Sequence, residues 1–258
     1  MFGKIIAFVV LLLAVQLYIL VPRYPDGHEN VTVKRLVAGA MFGGFFRATL
    51  LAERMGIIED SAVFMQNIFS ASVKEHEETE HVGIEKVEIA GHPVTIFRPA
   101  KTATNNKAKA IVYFHGGGFV LGSVHSHFRW TQSLANESGV VFLSVEYPLG
   151  PKHPFPTAID SCIEVTKAIF KQAKELKIDP TNISVAGDSA GGNLAAVVAL
   201  ELAGSKEFPL KAQILLVPVV LSSGVSMLPS YAHYHSIFRS NFSNQSLNRF
   251  VYFYCKIS

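Results

Sequence analysis

The residues best equipped for chemistry sit in two glycine-rich strings, Gly187-Asp188-Ser189-Ala190-Gly191 and His115-Gly116-Gly117-Gly118-Phe119, with Ser189 falling 74 positions after His115. A serine hydroxyl becomes a useful nucleophile when a sharp turn thrusts it out of the backbone. The glycines at 187, 191 and 192 permit such a turn, one that is strained and restricted to small neighbours. A phosphate-binding glycine turn is the competing reading. It fits poorly, because Gly192-Asn193 follow with no lysine and Asp188 would repel a phosphate.

The second string supplies what acyl transfer needs besides a nucleophile, which is backbone N–H groups aimed at a developing oxyanion. Only a residue without a side chain lets the main chain approach so closely. Gly116 and Gly117 are the expected donors, with Gly118 supporting the loop. The N–H of Ala190, at the positive end of the helix after Ser189, is expected to complete the hole. His115 belongs to the oxyanion side and is expected to order the loop through a hydrogen bond rather than to act as a base.

Both strings must be carried at the ends of strands, and the surrounding pattern provides these. Residues 86–89 and 94–97 alternate around Gly91 as an antiparallel hairpin. Short apolar runs at 110–114, 140–145, 183–186 and 212–217 read as buried strands, with helical periodicity at 127–137, 158–176 and 190–202. Continuous apolar strands separated by helices predict an α/β architecture, a mostly parallel sheet covered by helices on both faces.

The pairing of HGGGF with GDSAGGNL, together with VEYPLGPKHPFP at 145–156, resembles the hormone-sensitive-lipase-like branch of the α/β-hydrolase family. Within that branch it is similar to the arylacetamide deacetylase and neutral cholesterol ester hydrolase group. The likeness covers residues 86–218. It implies an α/β-hydrolase fold, a serine carboxylic-ester hydrolase of deacetylase or lipase type, a small hydrophobic ester or lipid as substrate, and no cofactor or metal. One departure is Pro148, where the family carries an arginine; the Pro-rich string reads as a structural connection beside the site.

A second departure is a subtraction. The family orders its triad as Ser, then Asp or Glu, then His. No aspartate follows Asp188, and the downstream acids Glu201 and Glu207 fall at or after the end of the helix that starts at the nucleophile. His233 and His235 are the only later histidines and are expected to be non-catalytic; His125 and His127, after the oxyanion loop, are expected to support it. The pattern reaches about six strands, two short of a full hydrolase sheet. The expectation is a truncated chain, with a non-catalytic binding relative as the alternative.

Composition fits a globular body with an added membrane segment. The chain has 258 residues, 49% apolar and 17% charged, a formal charge of +3 and a mean hydropathy of +0.30, which excludes disorder and a nucleic-acid-binding polycation. Residues 5–21 form a seventeen-residue apolar run interrupted only by Gln16, so residues 1–22 are expected to be a membrane anchor. No small residues precede a cleavage point there, which favours retention over a cleaved signal peptide. Residues 23–82 are expected to form a stem with an interfacial or lid segment at 36–52 and a charged linker at 73–81; residues 83–258 form the incomplete hydrolase domain. Five N-x-S/T sequons, at Asn30, Asn136, Asn182, Asn241 and Asn244, favour a lumenal, glycosylated body on the endoplasmic reticulum membrane over the cytosolic one that the flanking Lys and Arg suggest. The two cysteines, Cys162 and Cys255, exclude a disulfide scaffold and a four-thiolate zinc site.

Overall fold

The computed structural model describes residues 44–45, 47–72, 80–102 and 107–219. The apolar run at 5–21, the sequons at Asn30, Asn241 and Asn244, His233, His235 and Cys255 lie outside them. Among the described residues no helix is long and apolar enough to cross a membrane. Two compact units divide the chain, one ending at Phe64 and the other taking in Met65 to Val220.

In the first unit residues 47–54 are helical. Asp60 then starts helix α1 (Ser61–Ser72), whose residues from Met65 onward belong to the second unit. The Asp60 Oδ1 accepts the N–H of Ala62 at 2.7 Å and of Val63 at 3.1 Å. This carboxylate satisfies donors that have no partner within the helix.

The second unit is built on a six-stranded sheet in the order β1-β2-β4-β3-β5-β6. Strands β1 (Val82–Ile89) and β2 (His92–Pro99) form the expected hairpin, longer than the alternation alone indicates. Their two-residue turn, Ala90 and Gly91, has φ of 51° and 77°, the paired left-handed geometry that matches the twist of a tight hairpin. β2 also pairs antiparallel with β4 (Val141–Val145). From there inward the ladder is parallel, through β3 (Ala108–Phe114), β5 (Ile178–Asp188) and β6 (Gln213–Leu216).

Side-chain alternation along these strands sorts the core onto two faces. Ile96, Val112, Phe114, Leu143 and Val145 point to one face, where helices α3 (Thr157–Lys171) and α4 (Ala190–Glu201) bury Cys162, Val165, Ile169, Leu194 and Val198. Phe97, Tyr113 and Phe142 point to the other, against Phe128 and Ala135 of α2 (Phe128–Ser138). Each fully buried Leu, Ile or Phe contributes roughly 1.5–3 kcal/mol of transfer free energy. Two covered faces explain why β3 and β4 read as largely apolar runs, broken only by Lys109 and Ser144.

Two boundaries differ from the sequence reading. β5 begins at Ile178 rather than at 183, because Asp179, Pro180, Thr181 and Asn182 carry no apolar signal although Ile178 pairs with Ala108. α3 ends at Lys171 rather than at 176; the remaining periodic residues form hydrogen-bonded turns that deliver the chain to β5.

Candidate active site

β5 ends at Asp188 and α4 begins at Ala190, so Ser189 alone makes the turn between strand and helix. Its φ of 54° and ψ of −116° are sparsely populated for a residue with a side chain, a strain of about 1–3 kcal/mol. Main-chain bonds on both sides hold it there. The Ser189 N–H donates to Leu216 O at 2.9 Å, and Ser189 O accepts from the N–H of Asn193 and of Val219, each at 3.1 Å. The hydroxyl does not cap α4, although serine is a preferred residue at that position.

Packing explains the glycine spacing around it. A Cβ at Gly187 would collide with the Gly191 backbone and lie 2.7 Å from Phe114 O; one at Gly191 would collide with Phe114 O and lie 2.6 Å from His115 O. The two glycines are where the nucleophile turn touches itself and the end of β3.

The oxyanion string leaves that same end of β3, whose Phe114 pairs in register with Gly187. Gly117 and Gly118 have φ of 133° and 65°, and the loop closes on itself through Leu121 N–H to Gly117 O at 2.8 Å. Here one expectation is corrected. The N–H of Gly116 is not available to an oxyanion, because it donates to Asp188 Oδ1 at 2.8 Å. The Asp188 side chain also occupies the space that a Cβ at Gly116 would need. Among the described residues no acceptor is bonded to the N–H of Gly117, Gly118 or Ala190. Of the three glycine amides in the string, that of Gly116 is taken, while those of Gly117 and Gly118 have no acceptor among the described residues.

His115 is fully buried, with Nδ1 2.9 Å from Gly116 O, so that ring nitrogen carries the proton. Burial pushes its pKa down to about 4, keeping the ring neutral. Nε2 has no hydrogen-bond partner and lies 3.9 Å from Glu146 Oε1. His125 is exposed, whereas His127 Nε2 lies 3.6 Å from Asp188 Oδ2. Burial by itself would raise the Asp188 pKa, but hydrogen bonds from His127, Tyr113 and the Gly116 N–H outweigh it and hold the carboxyl below its ordinary range. The Tyr113 phenol, donating to Asp188 Oδ1 at 2.7 Å, is pushed up by burial and by that carboxylate.

Four contributors were missed by the motif reading: Tyr113, Glu146, Tyr147 and Gln66. The phenol within the otherwise apolar AIVYF run was the available signal for the first. The others brace the oxyanion loop from the Pro-rich connection and α1. Glu146 Oε2 accepts the Val124 N–H at 2.9 Å, Tyr147 OH donates to His115 O at 2.6 Å, and Gly150 N–H donates to Phe119 O at 2.9 Å. Gln66 Nε2 donates to both Val120 O, at 2.6 Å, and Gly150 O, at 2.8 Å. Burial raises the Glu146 pKa against the opposing effects of the Val124 N–H and His127. Pro148 lines a cleft of about 590 Å³ on this side of the loop, together with Gly122, Glu146 and Lys152; Ser189 is not part of its wall.

Glu201 closes α4 about 17 Å along the helix axis from its start, and Glu207 follows it; both are exposed. No hydrogen bond joins Ser189 Oγ to an imidazole or carboxylate among the described residues. Among those residues no three His, Cys, Asp or Glu side chains come together as a metal site.

The serine turn lies on one parallel strand and the glycine loop on its neighbour, and a sequence model of the α/β hydrolase fold matches residues 111–255. The chain belongs to the α/β hydrolase family. This hydrolase-family chain is 38% identical over 136 residues to an ethyl acetate hydrolase of Pseudomonas putida, covering 52% of this chain and 43% of that one. It is also 38% identical over 129 residues to arylacetamide deacetylase-like 3 of Homo sapiens, covering 50% and 31%. The expected kinship with arylacetamide deacetylase-like proteins is thereby met. Among solved structures, the thermophilic carboxylesterase EstE1 from a metagenomic library superposes with a TM-score of 0.62 at 31% identity, over 76% of this chain and 65% of that one. A hyperthermophilic esterase from Pyrobaculum calidifontis gives 0.61 at 31% identity, over 87% and 65%. The matched segments span less than half the length of both curated relatives.

Proposed function

We propose that this α/β hydrolase chain carries the nucleophile and the oxyanion hole of a serine carboxylic-ester hydrolase. The observation that carries the reading is the strained conformation of Ser189 at the start of α4, its hydroxyl and the nearby N–H groups of Gly117 and Gly118 having no hydrogen-bond partner among the described residues. Attack by Ser189 Oγ on an ester carbonyl forms a tetrahedral intermediate. The N–H groups of Gly117, Gly118 and Ala190, aided by the positive end of α4, take its oxyanion. Collapse expels the alcohol, and water then releases the acid from the acyl-serine. Relatives named as an ethyl acetate hydrolase and as carboxylesterases support this class of substrate.

The hydroxyl proton needs an acceptor during attack. His115 is neutral but locked into the loop, and His127 is turned to Asp188. Removing the triad histidine costs about 10⁶ in kcat in a serine hydrolase, and among the described residues no imidazole is hydrogen-bonded to Ser189 Oγ. A second reading is a binding relative without turnover, since among the described residues no imidazole or carboxylate is hydrogen-bonded to Ser189 Oγ.

Reaction of the purified chain with a fluorophosphonate probe separates the two. Covalent labelling that disappears in Ser189→Ala supports a nucleophile. Equal absence of labelling in both overturns it.

The apolar run at 5–21 supports a single membrane anchor, and the five sequons support a lumenal body on the endoplasmic reticulum membrane. A hydrophobic ester substrate suits that location. Glycosidase-sensitive mass on the protein made in microsomes tests it, and wholly unmodified sequons would count against it.

A further inference from the structure

Asp188 is adjacent to the nucleophile, yet its side chain makes no contribution to the chemistry set out above. It faces the oxyanion loop instead. One oxygen, Oδ1, accepts both the Gly116 N–H at 2.8 Å and the Tyr113 hydroxyl at 2.7 Å, and the other lies 3.6 Å from His127 Nε2. Gly116 is bare on the side where the carboxylate sits, since a Cβ there would overlap Asp188 Oδ2. Two donors, the core-facing phenol of β3 and the loop amide, thus converge on one carboxylate oxygen, with the imidazole of the residue preceding α2 beside the other.

The backbone geometry makes this convergence consequential. Asp188 is bonded covalently to Ser189, whose own peptide groups are fixed to Leu216, Asn193 and Val219. Gly116 is bonded covalently to Gly117. The oxyanion loop, free of regular secondary structure from His115 to Gly117, packs against Gly191 at His115 and is hydrogen-bonded to the nucleophile turn through the Asp188 side chain. A loop with several glycines has large conformational freedom to lose, so a tie beside its donors holds them where they act.

We propose that Asp188 is a positioning residue whose carboxylate latches the oxyanion loop to the nucleophile turn, setting the Gly117 and Gly118 N–H groups relative to Ser189 Oγ. The proposal rests on the reading of Ser189 as nucleophile. The latch itself is a property of the Gly116 amide and can be measured whether or not Ser189 reacts.

The test compares wild type, Asp188→Ala, Asp188→Asn and Tyr113→Phe as the full 258-residue chain, each first checked for the wild-type far-UV circular dichroism spectrum. Two readouts are taken: the chemical shift and hydrogen-exchange rate of the Gly116 amide, and the second-order rate of fluorophosphonate labelling at Ser189. In Asp188→Ala the Gly116 amide is expected to exchange at least tenfold faster, and labelling to slow by about 10²-fold, the scale of losing an oxyanion donor. Asp188→Asn keeps an oxygen that accepts from Gly116 and is expected to recover at least tenfold of the labelling rate lost in Asp188→Ala. Tyr113→Phe is expected to fall between Asp188→Asn and Asp188→Ala. An unchanged Gly116 amide in Asp188→Ala overturns the latch. A changed amide with an unchanged labelling rate overturns the positioning role. Absence of labelling in wild type overturns the nucleophile reading and with it the positioning role, while the amide still decides whether the latch exists. If Asp188→Ala fails to fold, Asp188→Asn and Tyr113→Phe carry the same two readouts.

Discussion

The phenol of Tyr147 donates to the carbonyl of His115 at 2.6 Å while its ring stacks on the imidazole, 4.3 Å between centroids and 17° from parallel. One residue of the Pro-rich connection thus holds the first residue of the oxyanion loop by both its main chain and its side chain. Both groups are almost wholly buried, so neither can exchange this contact for water. The loop is fixed from below by Tyr147 and from the nucleophile side by Asp188.

Tyr147→Phe keeps the stacking and removes only the hydrogen bond. Leaving a buried carbonyl without its donor is expected to cost about 1–3 kcal/mol. Urea unfolding followed by tryptophan fluorescence should show a lower midpoint at an unchanged slope. An identical midpoint would mean that His115 O finds another donor.

Acid should destabilise the fold through His115. The unfolded imidazole titrates near 6.5, while the buried ring titrates at about 4. Between those values the unfolded chain binds a proton that the folded chain refuses, so stability falls as pH drops through that window. The full effect is up to about 3 kcal/mol. Glu146, raised by burial, acts in the opposite sense and Asp188, lowered, acts in the same sense at more acid pH. Comparing wild type with His115→Asn isolates the imidazole: urea midpoints measured from pH 7 to 4 should fall more steeply in wild type. Parallel curves would show that His115 is protonated in the fold.

Gly191→Ala should be far more damaging than its size suggests. The added methyl group meets the carbonyl of Phe114, a main-chain atom in the middle of the sheet that cannot swing away. Overpacking of this kind typically costs about 1–3 kcal/mol, here at the nucleophile turn itself. Gly83→Ala is the control, because its Cβ would stand 3.7 Å from Arg98 O and touch nothing else. Thermal unfolding should show a clear drop for the first and little change for the second. Similar drops would remove the packing argument for the G-x-S-x-G spacing.

Much of this was legible in the chain itself. Apolar runs at 110–114 and 140–145 marked the central strands, because strands covered on both faces need apolar residues at every position. The G-x-S-x-G string marked the sharp turn at Ser189 because only glycine fits where two backbones touch, and that constraint is local enough to be written in five residues. The partner of the Gly116 N–H could not be read the same way. It lies 72 residues away, on the neighbouring strand, and the sequence offers three adjacent glycines with nothing to say which amide is already taken.

What the sequence by itself determined, then, is the inventory and its order: a glycine loop, a serine in a G-x-S-x-G string, and alternating strands and helices. These are properties of residue type and spacing. The tertiary structure alone decided that Asp188 binds Gly116 and Tyr113, that His127 serves Asp188, and that Gln66 of α1 reaches Val120 and Gly150. Those pairings depend on parallel register between β3 and β5 and on which side of the sheet each chain segment crosses. Directional hydrogen bonds between residues so distant in sequence leave no periodic trace in it.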